Sequence, residues 1–163
     1  MKLKKVALLA EVIGGLGIII SIFYLAFEVS ENSDVQLIAN HLALADRTQS
    51  LNASVAENRE YADLIAKSRL DTSSLTPGEQ EQVRMYVYSK IAIWEDAWAM
   101  KLVGQVSDLF WMAWNNGLCE DVSEPGFADL WARDLYRFHF VEFARIVNDC
   151  FAQSDLPIAP IER

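Results

Sequence analysis

Two histidines, two cysteines and one glycine-rich run are the residues of this chain whose types could do chemistry. A metal centre needs several ligands converging on one ion. His41 and His139 lie far apart in sequence, and only His139 has a carboxylate at helical spacing, Glu142. A carboxylate-bridged di-iron site needs two Glu-x-x-His units and two further carboxylates on facing helices. Here the order is reversed, and Ile38 stands where His41 would need its Glu. His139 and Glu142 therefore read as a surface or half-buried i,i+3 pair, and no metal or cofactor is expected. Nucleophilic catalysis needs a nucleophile, a base and an orienting group. Nothing around Cys119, Cys150 or His139 supplies that local pattern. Gly14-Gly15-Leu16-Gly17 is the one glycine-rich run, but it lies in an apolar segment and reads as close helix packing, not a phosphate loop. A non-catalytic protein is expected.

The elements that must position these residues begin with a membrane helix. Lys2, Lys4 and Lys5 precede an apolar run from Val6 to Phe27, which gives way to Glu28, Glu31 and Asp34. A bilayer core about 30 Å thick needs about 20 apolar helical residues. The run is long for a signal-peptide core, and no small-x-small cleavage site follows Phe27, so a retained single-pass signal-anchor is expected. Positive flanks stay in the cytoplasm. The N-terminus is thus expected inside a bacterial inner membrane, with the C-terminal domain in the periplasm.

Within the span, Ala7, Ala10, Gly14 and Gly17 share one helix face, which lets a neighbouring helix approach closely. Glu11 lies beside that face. It either faces a protein partner or reaches the nearby interface and its lysines; both readings stand at this point.

The net charge is −9; residues 1–30 carry three lysines against two glutamates, so the remainder carries −10. Such a domain repels nucleic acid and anionic headgroups, and no nucleic-acid partner is expected. Strand signals are poor and helical spacing dominates. The fold class expected is all-α: a transmembrane helix extended beyond the membrane, then a small antiparallel helical bundle. The boundaries are 1–30 for the anchor, 31–154 for the acidic bundle and 155–163 for a non-helical tail.

No Gly or Pro falls between Gly17 and Pro77, so the first helix can run on to about Leu51, unless Ser30, Asn32 and Ser33 break it. A second helix is expected from Glu57 to Leu70. Thr76, Pro77 and Glu79 form a capping box that opens a third, ending near Gly104. Ser107 caps a fourth, which Asn115-Asn116-Gly117 should stop. A last helical stretch is expected from Phe127 to about Phe151. Trp94, Trp98, Trp111 and Trp114 stand at helical spacing; they either fill the core or mark a docking surface. Cys119 and Cys150 either form a disulfide, which a periplasmic location permits, or remain buried thiols.

Several motifs together resemble those of an uncharacterised family of bacterial single-span membrane proteins with a small C-terminal helical domain. They are Glu11-Val12-Ile13-Gly14, Ile20 to Ala26, Asn32, Leu75-Thr76-Pro77-Gly78-Glu79, Pro125-Gly126, Trp131 and Glu142-Phe143. The resemblance implies architecture and no activity. Members of that family often carry Arg soon after the span; this chain has acidic residues there. The function expected is an accessory or scaffolding subunit of an integral membrane protein complex, held in the lipid bilayer. The alternative is a stand-alone extracytoplasmic sensor or binding module with a ligand near Trp94 and Trp98.

Overall fold

The computed structural model describes the backbone of residues 2–161 and the side chains of residues 11, 13–33 and 35–161. The described residues form six α-helices and a 3-10 turn, with no strand. The order is α1 (Lys2–Ala56), α2 (Arg59–Ser68), α3 (Pro77–Leu102), α4 (Asp108–Val122), α5 (Pro125–Arg133), the 3-10 turn (Leu135–Phe138) and α6 (Val141–Ala152). Two compact units divide the chain, Met1–Ala39 and Asn40–Arg163.

The first unit is helix alone. α1 is long and apolar enough to cross a membrane, with a mean hydropathy of 1.9 in its best 18-residue window and none of that window buried. Helical backbone meets the demand that every polar main-chain group be bonded internally in lipid. Ser30, Asn32 and Ser33 do not interrupt it. Ser33 Oγ donates to the Val29 carbonyl (3.0 Å), one turn back. The hydroxyl is thereby satisfied along the helix instead of competing for its backbone.

In the second unit, α3 is the element on which the others pack. Its start is fixed by the capping box: the Glu79 amide donates to Thr76 Oγ1 (3.4 Å), and the Thr76 amide donates to Glu79 Oε2 (2.7 Å). Its end is a Schellman turn. Gly104 takes φ +73°, and the amides of Gly104 and Gln105 donate to the carbonyls of Lys101 and Met100. Val83, Val87, Ile91 and Trp94 on α3 bury against Phe127, Trp131, Phe143 and Phe151 of α5 and α6. A second cluster joins Leu44 to Ile93, Ala97 and Val106. The residues of α1 from Asn40 onward are thus tied to α3. Asn40 Nδ2 donates to the Gln105 carbonyl (3.1 Å), and Arg47 pairs with Asp96 (2.5 Å).

Two sequence expectations are corrected. Asn115-Asn116-Gly117 does not stop α4, which continues to Val122. Leu118 and Val122 bury their side chains, and Cys119 is bonded to α6, so tertiary contacts outweigh the weak helix preference of Asn and Gly. The stretch from Phe127 to Phe151 is not one helix. α5 ends at Arg133, Asp134 departs to φ −155°, and His139 and Phe140 are extended before α6 begins. No Gly or Pro marks that break. A side chain from α3 bonds the far end of the break, as described below.

α2 and α5 meet at closer than ordinary range. The Gly126 amide donates to the Arg69 carbonyl (2.9 Å), and a Cβ at this position would overlap the carbonyl oxygen of Ser68. The obstacle is backbone and cannot rotate away. Gly126→Ala is expected to destabilise the second unit by about 1–3 kcal/mol through forced backbone displacement. A lowered denaturant midpoint, followed by circular dichroism, checks this.

The tail is non-helical but packed. Asn148 Nδ2 donates to the Ala159 carbonyl (3.0 Å), and Asn148 Oδ1 accepts from the Ala159 amide (3.0 Å). Ala159 is buried, and Leu156 and Ile161 lie against the core. Residues 155–161 therefore belong with the second unit.

Candidate functional site

Gly14 and Gly17 of the candidate helix-packing face lie open: an added Cβ at either meets nothing within 4 Å. Glu11 is exposed beside them. Ala7 and Ala10, whose side chains complete that face in sequence, fall outside the described residues. Small residues on one helix face are what permit a second helix at backbone range in lipid.

Burial divides the four tryptophans between the two readings of their spacing. Trp94 is fully buried and meets Phe143 edge-on, with centroids 5.5 Å apart. Trp98 is half-buried against Phe140 and Phe143. Trp111 and Trp114 are half-buried between the two clusters, Trp114 stacked on Phe110 at 5.2 Å. Large rings gain most by burial, and α3, α5 and α6 supply enough apolar surface to cover them. Trp94 and Trp98 thus both pack against the core.

Cys119 on α4 and Cys150 on α6 are joined in a disulfide, with Cα atoms 5.2 Å apart. That spacing lies within the ordinary range for such bonds. The closed loop contains α5 and the extended segment at His139.

A polar cluster appears that sequence reasoning missed. His139 does not pair with Glu142, as the i,i+3 spacing suggested; it pairs with Glu95 on α3, 44 residues away. His139 Nδ1 donates to Glu95 Oε2 (2.8 Å), and the Phe140 amide donates to Glu95 Oε1 (2.6 Å). One carboxylate thus takes two donors from the segment between the 3-10 turn and α6. This bonding holds the chain extended there and satisfies a backbone group that α6 leaves unpaired at its start. A histidine oriented by a carboxylate is also half of a catalytic arrangement. The His139 side chain is only 1% exposed, however, and Tyr88, Trp131 and Phe143 surround its ring. The pair ties the segment before α6 to α3.

A second buried charge, Lys90, is 5% exposed. Its Nζ pairs with Asp121 and lies 3.3 Å from Tyr86 Oη. Arg69 extends the network to Asp121 and Glu124 at 4.0 and 3.8 Å. Such pairing offsets the cost of burying a polar side chain. Among the described residues, no group of three His, Cys, Asp or Glu side chains is placed to hold a metal ion.

The chain matches no protein-family model, no curated protein and no solved structure.

Proposed function

We propose that the protein is a non-catalytic accessory subunit of an integral membrane complex. It is held in the bilayer by α1 and docks laterally through the Gly14/Gly17 face. The acidic helical bundle covers the partner's extramembrane surface. What supports this reading is an apolar helix with Gly14 and Gly17 on one face, attached to a unit whose cysteines and His139 are engaged in holding its fold together. A lone helix in lipid gains nothing from bare glycines, whereas a packed one gains close contact.

The orientation proposed is N-terminus in the cytoplasm and bundle in the periplasm of a bacterial inner membrane. Lys2, Lys4 and Lys5 support it, as does the Cys119–Cys150 disulfide, since such bonds persist in oxidising compartments.

The test is co-purification after mild detergent extraction, with mass spectrometry of the companions. The native chain is expected to recover a membrane complex in fixed proportion. Gly14→Leu puts a branched side chain on the docking face without disturbing the span's hydropathy. It is expected to reduce that recovery about tenfold or more, the cost of losing one close helix contact. Recovery unchanged by Gly14→Leu would refute lateral docking through this face.

A further inference from the structure

A groove of about 800 Å³ opens between the first turns of α2 and α3. Its apolar side is made by Tyr61 and Leu64 of α2 and Met85 of α3. Met85 is 48% exposed although the fold buries most large apolar side chains of α3. Glu60, Glu79 and Glu81 line the same groove, and no lysine or arginine does among the described residues. Gly78, Gln82 and Met85 recur at helical spacing along α3 and share its groove-facing stripe. Gly78 adds no side chain to the groove, and nothing stands within 4 Å of where its Cβ would be.

The carboxylates differ in their commitments. Glu79 is held by Thr76 in the capping box, and those hydrogen bonds keep its carboxyl below the usual range, hence ionised. Glu81 meets only Arg84, at 3.2 Å on an exposed surface. Exposed pairs of this kind are weak and exchange partners readily. Glu60 sits in the first turn of α2.

An apolar floor beneath an anionic rim selects its occupant. Phosphate-bearing surfaces, whether nucleic acid or anionic lipid, are repelled. A simple cation leaves the apolar floor wet. An amphipathic segment bearing lysines or arginines satisfies both, in the helix-in-groove mode. We propose that this groove receives a basic amphipathic segment of the partner, its apolar side chains on Tyr61, Leu64 and Met85 and its cations against Glu60, Glu79 and Glu81. The inference rests on the accessory-subunit reading for the partner's existence, but not for the groove's chemistry.

The test uses the full chain in zwitterionic micelles with carbon-13 methyl-labelled methionine. The chain has four methionines: Met1, Met85, Met100 and Met112. Met85 reports on the groove, and Met112, exposed on α4, reports on the surface elsewhere. The probe is a synthetic leucine–lysine amphipathic peptide; the comparator carries glutamate in place of lysine. The lysine peptide is expected to move the Met85 methyl saturably and leave Met112 in place, and the glutamate peptide to move neither. E60K/E81K is expected to weaken binding at least about tenfold, and the equally charged remote pair D46K/E120K by less than about twofold. Gly78→Phe puts a ring into the groove without changing charge, and is expected to abolish the Met85 response. Equal weakening by both double variants, or equal shifts at Met85 and Met112, would show diffuse Coulomb attraction and overturn the groove. Binding of the glutamate peptide, or a response that survives Gly78→Phe, would overturn it as well. Failure here with co-purification intact leaves lateral docking standing; groove binding without any co-purified complex removes the accessory role instead.

Discussion

Trp131→Ala is expected to cost the second unit about 3–5 kcal/mol, the range for deleting a fully buried aromatic. Trp131 has no exposed surface and packs with Phe151, Tyr136 and His139. Its Nε1 donates to Asn148 Oδ1 (2.9 Å), the same atom that accepts from the Ala159 amide. The ring therefore fills the core and also orients the amide that holds the tail. Trp131→Phe separates these roles. It keeps most of the apolar volume and loses the N–H, at an expected cost of about 1–2 kcal/mol. Denaturant unfolding followed by circular dichroism checks both. Equal losses in the two variants would show that the hydrogen bond, and not the packed volume, dominates at this position.

Opening the disulfide is expected to cost about 3–4 kcal/mol in the chain-entropy view. The bond links residues 31 apart and closes a loop around α5 and the extended segment at His139. In the unfolded chain that loop is free to expand once the bond is cut. In the folded unit little changes, since Cys150 is 3% exposed and Cys119 packs against the same core. The paired substitution Cys119→Ala and Cys150→Ala is the clean comparison, because each alone leaves an unpaired thiol. Its unfolding midpoint should coincide with that of the native chain measured under reducing conditions. A loss below about 1 kcal/mol would mean that the bond does not constrain the unfolded ensemble as the loop length requires.

The physics that was legible in the sequence is local. Thr76, Pro77 and Glu79 stand within four residues of one another, and their capping box forms as such spacing dictates. Ser107 likewise caps α4 through its neighbour Phe110, whose amide donates to its hydroxyl (3.2 Å). The long apolar run could be read directly because helix length and hydropathy need no partner. What stayed hidden depends on residues far apart. Asn115, Asn116 and Gly117 carry a stop signal, yet Leu118, Val122 and Cys119 beyond them hold the helix by contacts made elsewhere. The break between α5 and α6 has no punctuation of its own, and Glu95 bonds its far end from α3. His139 shows the same lesson in the candidate site. A spacing rule pairs it with Glu142, while the fold brings a carboxylate from 44 residues away. The groove between α2 and α3 was equally unreadable, because its two walls belong to helices that only tertiary packing sets side by side. The bare glycine face was the reverse case: Gly14 and Gly17 were visible in sequence because helical periodicity alone puts them together.

Alkaline carbonate extraction of membranes containing the full chain probes the bilayer residence of α1 directly, since it strips proteins bound only at the surface. The chain is expected to remain with the membrane pellet and to be released by detergent alone. Its appearance in the carbonate supernatant, folded and free of lipid, would contradict the span and with it the lateral docking built upon it.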